Sequence, residues 1–372
     1  MTIKLPASVL NFAAGDTVLF DNFVDYFNHY RSENGTKQFA YIKTDKEGKP
    51  ISLAQKEEAL KPMLLREISK RSGVDVSSMP AEVMSTHPLV GWSVANIASQ
   101  LIDAVLPSTM VEGTSAYAEI KTIGYGEAGI FDIKSRDLFA VTKVGKLGMR
   151  EAELQKGYMK QVTLTPEAHM ITVGVSLFRV LSGQESLADF TVKALRSIET
   201  EMTKDIYTAF ATAMAALDTD ATTGLKVTGY TQQDLTILAQ KVSAFSGGAK
   251  PIVLGTKVAL ANILPEDPNY RYDLSSPFVT LGYVRTIAGI DTFEIPQIAN
   301  WENPFSTYVS DSYLWIVAPG TDKLIKCVIG GAMVSHVAGQ FDSALLLQNA
   351  SFVKFWKAGL ITSSVAASID LS

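Results

Sequence analysis

Apolar positions along the chain follow three successive rhythms. Over the first hundred residues the spacing is helical. Asp16 stands as N-cap before Val18, Leu19, Phe20, Phe23, Val24 and Phe27, and Asn34-Gly35 ends the run. A hairpin-like piece follows, Gln38 to Ile42 with a turn over 45–50 and then Ile51. A charged helix is expected from Ser52 to Arg71, kinked at Pro62 and stopped by Gly73. Another is expected from Leu89 to Leu106, with Val94, Ile97, Leu101, Ile102 and Val105 on one side. Short helices separated by Pro and Gly are hard to gather into one core, so this region reads as an arm lying on another surface.

From Pro107 to Gly183 the rhythm changes to period two. Tyr117 to Ile123, Leu138 to Val144 and Tyr158 to Leu164 each alternate apolar with polar residues. The last two runs flank a polar segment from Gly145 to Lys156, which describes a long two-stranded ribbon with a charged tip. An isolated ribbon is marginal in water, so this one must rest on a neighbouring surface.

A single long helix comes next, from roughly Glu185 to Leu217. Leu187, Phe190, Ala194, Leu195, Ile198, Met202, Ile206, Phe210 and Met214 form its stripe, and Ser182 or Ser186 can cap it. At about 50 Å it is long for a globular layer and suits a scaffold spanning a flat subunit. The remainder reads as α/β: a helix over Thr231–Phe245, a buried strand at Pro251–Leu254 and a helix over Thr256–Leu264. Strands follow around Thr286–Ile295, Tyr313–Val317 and Lys323–Ile329. A polar, proline-bounded loop occupies 265–273. Extended runs close the chain from Ala344 to Leu371, with a turn expected at Lys357-Ala358-Gly359.

Composition narrows what this pattern can mean. With 372 residues, 47% hydrophobic and 19% charged, the chain has ample material for roughly two domains and is not disordered as a whole. A flat subunit would still need neighbours to cover its apolar surface. The net charge of −5 argues against a protein that grips nucleic acid by its phosphates. Cys327 is the only cysteine and lies in the apolar run Leu324–Ile329, so it reads as a buried thiol. No unbroken apolar stretch approaches eighteen residues, and the reading is of a soluble, unexported, intracellular product.

Candidate chemistry fails on inspection. Gly124-Tyr125-Gly126-Glu127-Ala128-Gly129 is a literal G-x-G-x-x-G, but a dinucleotide site needs a helix to begin there, and Ile130-Phe131-Asp132-Ile133 continues as strand. A kinase reading lacks His-Arg-Asp and Asp-Phe-Gly. The segment therefore reads as a glycine-permitted turn. His29, His87, His169 and His336 are scattered without ligand spacing, and no nucleophile elbow or phosphate loop occurs. Glu199, Glu201 and Asp205 read as a solvated or subunit-facing helix surface. The expectation is a non-enzymatic protein with no cofactor and no metal.

The order of elements (helical arm, ribbon, long helix, α/β region, returning strands) resembles the major capsid protein of tailed bacteriophages, a fold shared with encapsulin nanocompartments. Local phrasing is similar too: Lys250 to Thr256 looks like the axial-domain strand that leads into a helix. Gly282 to Ile290 looks like the approach to a later strand, and Phe352 to Ile369 like the closing strands of the peripheral domain. The resemblance implies an α+β phage major-capsid fold. It divides the chain into an N-terminal arm (1–106), strands and extended E-loop (107–183, tip about 145–156), P-domain spine helix (184–229), A-domain (230–342) and returning P-domain strands (343–372).

It implies a structural shell subunit that self-assembles into pentamers and hexamers of an icosahedral virion head and encloses a double-stranded DNA genome. Portal and scaffolding proteins would be partners, the DNA would be touched non-specifically, and no membrane would be involved. The subunit would reside in the host cytoplasm before assembly. Lys146, Arg150, Glu151, Glu153 and Lys156 become candidate interface residues at the E-loop tip, and Glu266, Asp267, Arg271 and Asp273 in the A-domain loop. The alternatives are an encapsulin-like compartment shell and an α/β enzyme with an unrecognised site.

Overall fold

The computed structural model describes residues 7–33, 51–76, 78, 80, 87–114, 118–134, 159–175, 177–182, 184–217, 224–263, 282–300, 303, 305–319, 323–337, 348–361 and 365–371. The hairpin-like piece expected over 38–50 and the run Leu138–Val144 lie outside the described residues.

Helices α1 (Ala7–Gly15), α2 (Thr17–Glu33), α3 (Leu53–Ser72) and α4 (Pro88–Thr114) come first. Asp16 caps α2 by accepting the Leu19 N–H at 3.1 Å. Ser52 and Gln55 form a capping box at the start of α3: Ser52 Oγ accepts from Gln55 N–H and Gln55 Oε1 accepts from Ser52 N–H. Gly73 closes the same helix at φ +69°, a conformation that glycine adopts without a side-chain clash. Neither internal proline ends its helix. The chain runs through Pro62 in α3 and through Pro107 in α4, so the boundary expected at 106/107 falls inside a helix. Burial of Val105, Leu106 and Met110 offsets the hydrogen bond that Pro107 removes. Helix α4 is long and apolar enough to cross a membrane, yet 78% of that window is buried. It is apolar all round because protein surrounds it.

Strands β1 (Ala118–Ile123), β4 (Glu167–Val175), β10 (Ile325–Val337) and β11 (Gln348–Leu360) make a four-stranded sheet in the order β1-β10-β11-β4. Strands β2 (Gly129–Lys134) and β3 (Met159–Leu164) pair antiparallel as a separate ribbon. After the short α5 (Leu177–Leu181), helix α6 (Leu187–Leu217) runs 31 residues, about 46 Å, capped by Ser186 Oγ on the Asp189 N–H. The stripe read from the sequence is its core face: Leu195, Ile198, Met202, Ile206, Phe210 and Met214 are buried.

The second sheet comprises β5 (Lys226–Thr228), β6 (Ile252–Gly255), β7 (Thr286–Ile287), β8 (Ile290–Glu294), β9 (Tyr313–Val317) and β12 (Ala366–Asp370), ordered β5-β12-β9-β6-β8-β7. Helices α7 (Gln232–Phe245) and α8 (Lys257–Ala261), capped by Thr231 and Thr256, cover one face. Leu314 and Ile316 of β9 point into that side, while Trp315 and Val317 point into the core shared with α6, where Phe210 meets Trp315 edge-on at 5.1 Å. Burial on both faces explains why this strand is an unbroken apolar run.

One large core joins α2, α3, α4, α6 and the inner face of the four-stranded sheet. Helices α1 to α3 lie on α4, and α4 in turn lies on the sheet and on α6. The two sheets do not follow the expected divisions. Strand β10, placed within 230–342, joins the sheet of β1, β11 and β4, and β12, placed with the returning strands, joins the sheet of the α/β region. Periodicity marks a strand but not the sheet it enters. The turn expected at 357–359 is also absent, because β11 continues in register with β10 to Leu360. A Cβ on Gly359 would come within 3.3 Å of Leu164 Cδ2, so this glycine admits a close neighbour rather than a turn.

Candidate assembly interface

The ribbon is planted on the four-stranded sheet by a small apolar foot. Its register runs from Gly129↔Leu164 to Lys134↔Met159. The strand read at Tyr158–Leu164 is therefore β3, and its partner at the foot is 129–134. Phe131 and Leu164 pack with Val328 and Ile361 in a cluster separate from the main core. Gly129 permits the approach, since a Cβ there would stand 2.3 Å from Val328 Cγ2. Two lysines bracket the Phe131 ring. Lys121 Nζ lies 4.3 Å from its centroid and donates to the Ile130 carbonyl at 2.8 Å, and Lys326 Nζ lies 5.9 Å away. Lys326 is buried and pairs with Glu119 Oε2 at 2.6 Å, so its charge is compensated where it sits.

The glycine motif leads into this foot as a turn. Gly124 N–H donates to Glu127 Oε2 at 2.8 Å, and Gly126 takes φ +80°. A backbone N–H that would have to face a phosphate is thus spent on the chain's own carboxylate, and β2 follows where a helix would be needed. Tyr125 is 76% exposed, its ring edge-on to Phe355 at 5.7 Å.

Beyond the foot, the outer face of the sheet carries a short apolar row bordered by the polar row His336, Ser351 and Thr172. Val334, Val353 and Met170 stand in one row across β10, β11 and β4, with Val334 50% and Met170 68% exposed. Phe355 and Tyr125 flank them on the side of the foot, and a Thr172–Ser351 hydroxyl pair at 3.0 Å lies on the other side. Contiguous exposed apolar side chains on a sheet mark a contact surface more often than scattered single ones do.

The inner face is held by buried polar groups. Lys354 Nζ donates to Asp103 Oδ1 at 2.6 Å and to the Gly331 carbonyl at 2.7 Å, and Asp103 Oδ2 accepts from Met333 N–H at 2.5 Å. Both side chains are nearly inaccessible. The network ties α4 to the irregular stretch of β10 between Gly330 and Val334. At the far edge His169 stacks on Trp356 at 3.7 Å, and Trp356 Nε1 donates to Asp205 Oδ2 at 2.7 Å, fastening β4 and β11 to α6. Asp205, read as surface, is thus partly turned into the fold. Lys357 and Glu167 pair beside it, and that contact holds the exposed Glu167 carboxyl below its usual range.

The remaining candidates place as follows. Burial pushes the Cys327 thiol up to about 12, so it stays protonated and inert. His29 pairs with Glu33, and among the described residues no group of three His, Cys, Asp or Glu side chains could hold a metal ion. The E-loop tip residues Lys146, Arg150, Glu151, Glu153 and Lys156 lie outside the described residues, and so do Glu266, Asp267, Arg271 and Asp273.

The family described as "SPbeta prophage-derived putative capsid protein YonB" matches residues 84–344. The chain belongs to this capsid family. A search of curated proteins gives no match. Among solved structures, the mature capsid of bacteriophage PhiM1 is similar with a TM-score of 0.43 and 10% identity, covering 68% of this chain and 85% of that one. A Mycobacterium phage Bobi chain gives a TM-score of 0.45 at 10% identity, covering 70% and 89%. A virus-like particle from Pyrococcus furiosus gives 0.41 at 12%, covering 72% and 96%. These likenesses are distant, and family membership stands without them. As a phage capsid protein of mixed α and β structure, the chain is a structural shell subunit of a phage head and not an enzyme. The compartment and enzyme readings are not favoured.

Proposed function

We propose that this capsid protein closes an icosahedral head from pentamers and hexamers, with its ribbon reaching from the foot to a neighbouring subunit. The observation that carries this reading is the arrangement of the sheet's outer face. The ribbon's foot covers one end, while Val334, Val353 and Met170 continue the same face uncovered among the described residues. Repeated heterologous contacts of that kind close into a shell when the rotation between copies permits. Charged residues at the ribbon tip (Lys146, Arg150, Glu151, Glu153 and Lys156) pair with the neighbour, and Glu266, Asp267, Arg271 and Asp273 meet near the capsomer axis. In this reading the chain comprises an arm, E-loop, P-domain and A-domain, with β10 belonging to the sheet of β1, β11 and β4 and β12 to the sheet of the α/β region. Portal and scaffolding proteins are the partners of assembly in the host cytoplasm. The net charge of −5 suits a wall along which DNA is driven without being gripped.

Each exposed tip pair contributes only about 0–1 kcal/mol, but the contact recurs around every capsomer. Arg150→Ala/Glu151→Ala is expected to cut the yield of shells while leaving the thermal transition of the isolated subunit unchanged. Shells at normal yield from that variant, counted by negative-stain microscopy, would remove the tip from the interface.

A further inference from the structure

We draw no further inference here: the strongest candidate, the cavity of about 320 Å³ between α3 and the start of α6, has a rim that mixes Glu57, Glu58 and Glu185 with Lys61, and nothing in the structure shows what covers it.

Discussion

Gly129→Val is expected to abolish closed shells while the subunit stays folded. The Cβ of any residue at 129 would stand 2.3 Å from Val328 Cγ2, a distance no real pair tolerates. Val328 cannot easily yield, because it packs with Phe131, Leu164 and Ile361 beneath the ribbon. Overpacking of this kind typically costs about 1–3 kcal/mol, and moving the foot relieves it most simply. The displaced ribbon would leave the sheet at a wrong angle, and an error of a few degrees at the foot grows along its length. The main core lies elsewhere, so far-ultraviolet dichroism and the main thermal transition should change little. Gly126→Ala is the control: nothing lies within 4 Å of a Cβ there, although the positive φ adds some strain. Microscopy of both variants decides the matter, and shells from Gly129→Val at the level of Gly126→Ala would show that the ribbon's seat does not govern assembly.

Lys354→Met is expected to destabilise the subunit by about 3–5 kcal/mol, the range for removing one partner of a buried ion pair. That is a large part of a typical total stability of about 5–15 kcal/mol. The change strands the Asp103 carboxylate between α4 and β10 and leaves the Gly331 carbonyl without its donor. Asp103→Asn/Lys354→Met removes both charges and keeps an oxygen for the Met333 N–H, so it should recover more than half of the loss. Chemical denaturation of the two variants and the parent measures this directly. A single Lys354→Met change within about 1 kcal/mol of the parent would mean that the pair does not anchor the sheet.

Local features were legible in the sequence where the backbone itself dictates them. Asp16, Ser52, Thr231 and Thr256 cap helices where a short polar side chain precedes an apolar run, and Gly73 ends one. The long stripe from Leu187 to Met214 gave the spine helix almost residue for residue. Long-range pairing was not legible. Val328 and Gly129 are far apart in the chain, and Gly129 looked like part of a turn when its role is to let the ribbon approach the sheet. Gly359 misled in the same way.

Two signals could have been read further. Lys354 falls on the buried side of the alternation Ala350, Phe352, Lys354, Trp356, and Asp103 interrupts the apolar helix α4. A charge at a position that periodicity assigns to the core demands a partner, and each of these was the other's. Pro107 ended a helix in the reading and not in the fold, because burial outweighed one lost hydrogen bond. The charged residues proposed for the ribbon tip and the A-domain loop rest on the resemblance to capsid proteins, and their contacts await the variants above.

The central claim is that this chain builds a shell from copies of itself. The most direct test is size-exclusion chromatography and negative-stain microscopy of the chain expressed alone, beside a lysate lacking it. Closed shells, tubes or isolated pentamers and hexamers are the predicted result. A monomer or dimer that stays soluble at high concentration would contradict it.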